Sequence, residues 1–352
     1  MTAAEPSALT RVEDRVGRIT LNRPRAINAL DHGMVRAISE ALTAWATDDR
    51  VDTVVLDGSG ERGLCAGGDI RSIYDDARTG GSASLAFWRD EYRLNAYIAR
   101  YPKPYVAVMD GLVMGGGIGV SAHGSHRLVT ERTRIGMPEV GIGFTPDVGG
   151  TYLLSRAPGE LGTYAALTAG QLSGADAIHV GLADHYVPSN KLPALVAALA
   201  TMPPDAAVTS VAEAPPTSPL ADRREWIDAC FSADTVEEIV ARLRAAGPGT
   251  EANEAADNVL ANSPTALKVT LRALRSAATL PTLEAAIDQE YRMAVAGLRS
   301  PDFAEGIRAQ IVDKDRSPRW SPRTLEQVDD ALVDRFFAAP DSGDLGLVPA
   351  PV

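Results

Sequence analysis

Cysteine is almost absent: in 352 residues only Cys65 and Cys230 occur. Two thiols build neither a disulfide-stapled scaffold nor a four-cysteine zinc site, and the setting they imply is the reducing cytoplasm. Positive charge is also short, with 34 Lys and Arg against 46 Asp and Glu and a formal net charge of −12. That balance repels a phosphate backbone, so nucleic acid is not an expected partner. Long apolar runs are missing. The most apolar stretch, 104–120, contains Asp110 and five glycines, too interrupted for a membrane helix, so no membrane partner is expected. Residues 1–15 carry Glu5 and Glu13 and lack the basic-then-apolar order of a signal peptide. His123 and His126 stand three apart with no third ligand nearby, and no metal is expected.

What is present reads as a soluble globular chain: 45% hydrophobic and 23% charged residues, long enough for one large domain or two smaller ones. β-branched runs at 17–21, 51–57, 105–109 and 127–130 alternate with helical periods, which predicts an α/β fold. Met34, Ile38, Leu42 and Trp45 recur at helical spacing behind Asp31, a suitable N-cap. From 201 to 222 five prolines accumulate, predicting a linker between a core at 1–200 and a helical region at 223–338, in which 223–245 and 264–299 read as helices. Residues 339–352 read as a loose tail.

Three glycine-rich segments fall at the ends of predicted strands, where α/β proteins carry function. Cys65-Ala66-Gly67-Gly68-Asp69-Ile70 precedes a helix begun by Asp69, and Asp110 to Gly119 includes Gly115-Gly116-Gly117. Small residues let backbone N–H groups approach a ligand, and two such donors on one carbonyl oxygen make an oxyanion hole. Tight turns need glycine equally, so either loop alone leaves both readings open. The third segment, Met137 to Gly150, sets Glu139 and Asp147 among Pro, Gly and apolar residues. Burial there would raise their pKa and suit a general base or nucleophile; solvated loop positions or helix caps are the alternative. Glu91 falls on the stripe of Phe87, Leu94 and Ile98, which points it inward, against the more ordinary reading of a boundary residue paired with Arg89 or Lys103.

Other motifs fail. Gly119-Val120-Ser121-Ala122-His123 breaks the G-x-S-x-G elbow at its last position. Gly117 to Ala122 fits G-x-G-x-x-A, yet the acidic residue about 20 positions on is Glu139, inside a loop instead of at a strand end. Cys65 has no sequence-local His to activate it and reads as a packed thiol.

Taken in order, these segments resemble the crotonase (enoyl-CoA hydratase/isomerase) superfamily, with Leu21 to Leu30 resembling its N-terminal signature and Met137-Pro138-Glu139 its catalytic-carboxylate loop. The resemblance implies an α/β, crotonase-like spiral of ββα turns with a C-terminal helical region, a trimer-based homo-oligomer, and an acyl-CoA thioester substrate. Coenzyme A is then part of the substrate, and no separate cofactor is implied. It also implies the N–H groups of Gly68 and Gly116 as oxyanion donors and coenzyme A contacts at Ala66, Gly68, Asp69 and Ile70. Arg25 and Lys268 are candidate partners of the coenzyme A phosphates, with solvated-face roles as the alternative.

Two departures select a branch. Where hydratases carry a second glutamate, three residues after the middle glycine of the second loop, this chain has Gly119; eight residues after Glu139, where hydratases carry glycine, it has Asp147. That pattern resembles the 3-hydroxyisobutyryl-CoA hydrolases of valine breakdown, as do the segments 87–95, 263–268 and 302–308 with 313–315. The resemblance implies that Gly68 and Gly116 polarise the thioester carbonyl, that Glu139 attacks it or activates water, that Asp147 holds the 3-hydroxyl or assists the water, and that Glu91 contacts substrate. The competing readings are an enoyl-CoA hydratase or isomerase and a noncatalytic acyl-CoA-binding protein.

Overall fold

The computed structural model describes residues 5–79 and 82–347. Its strands are β1 (Ala8–Glu13), β2 (Val16–Leu21), β3 (Thr53–Gly58), β4 (Tyr105–Met109), β5 (Leu112–Met114), β6 (His126–Val129), β7 (Arg134–Gly136), β8 (Leu172–Ser173) and β9 (His185–Tyr186). One sheet has the order β1-β2-β3-β4-β6-β9, antiparallel at β1/β2 and parallel thereafter; β5, β7 and β8 form a second. The expected α/β class is what the chain adopts. No helix among the described residues is long and apolar enough to cross a membrane.

Two compact units divide the chain, each built from three separate stretches. The first comprises Met1–Gly68, Arg93–Ile135 and Leu172–Ser218 and holds the large sheet. Every residue of β4 is buried, as a central parallel strand covered on both faces requires. Helix His32–Trp45 starts where the pattern placed it: the Asp31 carboxylate accepts the Met34 N–H, and Met34, Ile38, Leu42 and Trp45 are buried. Val55, Val106, Val108 and Leu128 from the sheet pack with Leu195, Leu199, Val208 and Val211.

That packing corrects the domain reading. Residues 204–211 are not linker but helix Pro204–Val211, with Pro204 in the first turn, where its missing N–H costs nothing, and Ala207, Val208 and Val211 in the core. The boundary lies within the proline-rich stretch, at Ser218 and Pro219, but the units are not a 1–200 core followed by a helical end.

The second unit comprises Asp69–Tyr92, Gly136–Gln171 and Pro219–Val352. Each long helix expected here is broken in two by a threonine cap. Thr235 accepts the Glu238 N–H between Pro219–Phe231 and Val236–Ala245; Thr282 accepts the Ala285 N–H between Pro264–Ala277 and Leu283–Leu298. The tail is tied down as far as 347. Arg292 forms a two-pronged pair with Asp344 at 2.7 and 2.6 Å, and Leu345 is buried. Residues 348–352 of the expected loose tail lie outside the described residues.

Candidate active site

The first unit carries both glycine loops, and β-type pairing locks them together. Cys65 forms a bridge with Val113, and the Met114 N–H donates to the Cys65 carbonyl at 2.9 Å. Gly67 adopts φ +104° and Gly115 φ +45°, conformations that L side chains resist. A Cβ on Gly117 would lie 2.8 Å from that of Cys65, so this glycine is required by close approach of the two loops. The Gly68 and Gly116 N–H groups are not among the backbone donors that find a protein acceptor in the described residues. The Ala66 N–H, in contrast, is taken by the Ile27 carbonyl at 2.8 Å. Ala66, Gly68, Asp69 and Ile70 are half-buried, and Asp69 caps helix Ile70–Ala77 by accepting the Ser72 N–H. Cys65 is buried, in keeping with the packed-thiol reading.

The second unit gathers carboxylates. Glu91, Asp147, Glu139 and Glu290 are exposed by only 2, 7, 8 and 0%. Glu139 opens the 3-10 turn Glu139–Ile142, which ends at Gly143 with φ +69°, where a Cβ would meet the Asp302 backbone at 2.4 Å. The Ser263 N–H, at the start of helix Pro264–Ala277, donates to the Val140 carbonyl and anchors this turn. Asp147 precedes Val148 at φ 54°, a left-handed β-branched residue, and Gly149 at φ 83°. Backbone strain of this kind persists only where its surroundings hold it. Tyr92 donates to Asp147 Oδ2 at 2.7 Å, while Glu91 Oε1 and Glu139 Oε2 are buried with no hydrogen-bond partner among the described residues.

The helix bearing Glu91 and Tyr92, Ser82–Ala99, is fixed by aromatic packing. Trp88 stacks on Phe144 at 5.3 Å, Phe144 meets Phe303 at 4.8 Å, and Tyr92 packs edge-on against Tyr291 at 6.2 Å. Glu91 is therefore a core residue. The boundary reading is wrong because both supposed partners are engaged elsewhere: Arg89 donates to Tyr291 Oη, and Lys103 donates to the carbonyls of Trp45, Asp48 and Val51.

Burial governs the electrostatics. Desolvation pushes Asp147 up to about 7, against the opposing Tyr92 hydrogen bond. It holds Glu139 and Glu91 well above the usual carboxylate range, and the Asp147 charge adds to both. Like charges so placed oppose one another's ionisation, so each proton lost from the cluster makes the next harder to remove. Ionised, any of these carboxylates is a stronger base than a solvated one.

The sequence-expected carboxylates Glu91, Glu139 and Asp147 thus come together. Lys268 does not stand free for a phosphate: its ammonium donates to Val328 O at 2.9 Å and pairs with Glu237 at 2.6 Å. Arg25 is exposed. Tyr92, Thr151 and Glu290 escaped the pattern reading. Glu290 had a signal, since it shares the stripe of Leu283, Ala286, Ile287 and Ala294, the same anomaly that marked Glu91. His126 pairs with Asp205 at 2.9 Å, and no cluster of three His, Cys, Asp or Glu residues among the described residues has a metal-holding arrangement.

Comparison with known proteins adds a family. Residues 16–337 match the family model described as enoyl-CoA hydratase/isomerase. The mitochondrial 3-hydroxyisobutyryl-CoA hydrolase of Danio rerio is 42% identical over 95% of this chain and 90% of its own length. The enzyme of that name from Homo sapiens is 39% identical over 98% and 92%. Among solved structures, a carnitinyl-CoA dehydratase from Mycobacterium thermoresistibile superposes with a TM-score of 0.93, at 55% identity, covering 96% of this chain and 98% of that one. An enoyl-CoA hydratase from Rhodobacter sphaeroides gives 0.91 at 42% identity, covering 97% and 100%.

Proposed function

The chain belongs to the enoyl-CoA hydratase/isomerase family, and from that premise we propose that it hydrolyses short 3-hydroxyacyl-CoA thioesters, 3-hydroxyisobutyryl-CoA foremost. The observation that carries this reading is the buried trio Glu91, Glu139 and Asp147, together with a glycine at 119. Hydration of an enoyl-CoA by the two-glutamate route needs a second acid where Gly119 offers no side chain. Thioester hydrolysis needs one carboxylate at the carbonyl and a second polar group for the hydroxyl or the water, which Glu139 and Asp147 supply.

In this mechanism the N–H groups of Gly68 and Gly116 receive the developing oxyanion, a contribution of about 3–4 kcal/mol per donor in comparable sites. Glu139, once ionised, attacks the carbonyl carbon. The C–S bond breaks, coenzyme A leaves as thiolate, and water then hydrolyses the mixed anhydride; alternatively Glu139 takes a proton from water, which attacks directly. Glu91 Oε1 and Glu139 Oε2, without a hydrogen-bond partner among the described residues, are suited to a substrate hydroxyl and a water. The scarcity of cysteine, two in 352 residues, supports a reducing compartment such as the cytoplasm. No cofactor beyond the coenzyme A of the substrate belongs to the reading, and a trimer-based assembly remains part of it.

Thiol release with 3-hydroxyisobutyryl-CoA, 3-hydroxypropionyl-CoA and crotonyl-CoA tests the proposal. Release from the hydroxyacyl substrates, abolished in Glu139→Gln and much reduced in Asp147→Asn, is the expected result; isotopic oxygen from water in Glu139 after one turnover selects the anhydride route. A second reading, hydration or dehydration, draws support from the names of the two solved relatives. Water addition to crotonyl-CoA with no thiol released would establish it. Tight binding with the substrate left intact would instead mean a noncatalytic acyl-CoA-binding protein.

A further inference from the structure

The helix Leu283–Leu298 meets the surroundings of Asp147 twice through adjacent residues. Glu290, fully buried, accepts the Gly149 N–H at 2.6 Å through Oε2, and the Thr151 N–H at 2.8 Å and Thr151 hydroxyl at 2.5 Å through Oε1. Tyr291 packs edge-on against Tyr92, the phenol that donates to Asp147. The turn so held is the strained one, Val148 at φ 54° and Gly149 at φ 83°, and the Gly150 N–H closes it on the Asp147 carbonyl at 2.7 Å. Burying a carboxylate is costly, and an apolar side chain at 290 would leave two backbone N–H groups of this turn without an acceptor. Three donors converging on one buried carboxylate set the position of a backbone segment more narrowly than packing alone.

We propose that Glu290 is a positioning residue of the hydrolysis: by gripping the 149–151 turn it fixes the Asp147 carboxylate at the distance and angle at which that group acts on substrate. Glu290 does not touch the reacting atoms. Its influence passes through Asp147, and the inference rests on the hydrolase reading above. An amide at 290 presents one acceptor atom instead of two and turns an NH₂ toward a backbone donor, so the turn must shift. Displacements of about 1 Å at a reacting group cost up to about a hundredfold in rate.

The test is a mutant cycle in the full-length chain, reading thiol release from 3-hydroxyisobutyryl-CoA and thermal midpoint together. Glu290→Gln is expected to lower kcat by about ten- to a hundredfold with KM nearly unchanged, and to add less than about twofold once Asp147→Asn is present. Thr151→Val, which removes only the hydroxyl donor and keeps the fold if Glu290→Gln does not, is expected to lower kcat severalfold and to be silent in the Asp147→Asn background. Glu290→Asp, which keeps a carboxylate, is expected to restore part of kcat. Losses that multiply independently of Asp147, or a rise in KM with kcat preserved, would overturn the proposal while leaving the hydrolase intact. A wild-type chain that releases no thiol would remove the hydrolase reading and this proposal together.

Discussion

The Tyr92 phenol donates a 2.7 Å hydrogen bond to Asp147 Oδ2, joining two buried side chains 55 positions apart in sequence. It is the larger of two hydrogen bonds, the other from the backbone, that hold Asp147 toward its ionised form while desolvation drives it the other way. The carboxylate comes to rest at about 7, where small changes alter its charge at working pH.

Removing that hydrogen bond therefore has a predictable sign. In Tyr92→Phe the carboxylate loses its stabilising donor, its pKa rises, and the acidic limb of kcat/KM moves to higher pH by about one unit or more. The pH-rate profile of thiol release checks this; an unmoved limb with reduced activity would assign Tyr92 to packing against Tyr291 instead.

Stability follows from the same shifts. Asp147 and Glu290, at about 7 and about 8, lie above their unfolded values, so their contribution is present below about pH 4 and is lost as pH rises through 7 to 8. Asp147→Asn removes the charge and keeps an acceptor for Tyr92. It is expected to stabilise the protein by on the order of 1–3 kcal/mol at pH 8 and by little at pH 4, as urea unfolding at the two pH values would reveal.

Gly117 tests the coupling between the two glycine loops. A methyl group there would sit 2.8 Å from the Cys65 Cβ and 2.9 Å from its carbonyl oxygen, so one loop must move. Gly117→Ala is expected to cost about 1–3 kcal/mol in stability and at least tenfold in kcat. Unchanged kcat despite a lowered thermal midpoint would mean that the loops carry no oxyanion donors.

Lys268 and Arg25 separate structure from coenzyme A binding. With its ammonium on Glu237 and the Val328 carbonyl, Lys268→Met is expected to lower stability by about 1 kcal/mol and leave KM nearly unchanged. Arg25→Ala, on an exposed guanidinium, is expected to raise KM about three- to tenfold in a salt-dependent way with stability unaffected. Kinetics at two ionic strengths distinguish the pair, and the reverse pattern would return Lys268 to the phosphate.

Local rules were enough for the strand at 105–109 and the Asp31 cap, and they singled out the two glycine loops and the carboxylates at 139 and 147 without deciding between structural and chemical roles, because each rule sees only neighbours within a few residues: a β-branched run, a side chain reaching its third following N–H, a glycine at a turn. They flagged Glu91, since a charge on an apolar stripe is visible in one helix, but favoured the boundary reading that its burial overturns. What they missed was long-range. Whether Glu91 is buried depends on where Arg89 and Lys103 find other partners, and Tyr92, Thr151 and Glu290 acquire meaning only when helix 283–298 is packed against a turn some 140 positions earlier. The proline-rich stretch misled for the same reason: composition records the cost of ordering a segment, but only the core shows that Val208 and Val211 have somewhere to be buried. The sequence by itself determined which groups are available for chemistry. Tertiary structure decided which of them lose their water, and desolvation is what lifts these carboxylates above their ordinary range.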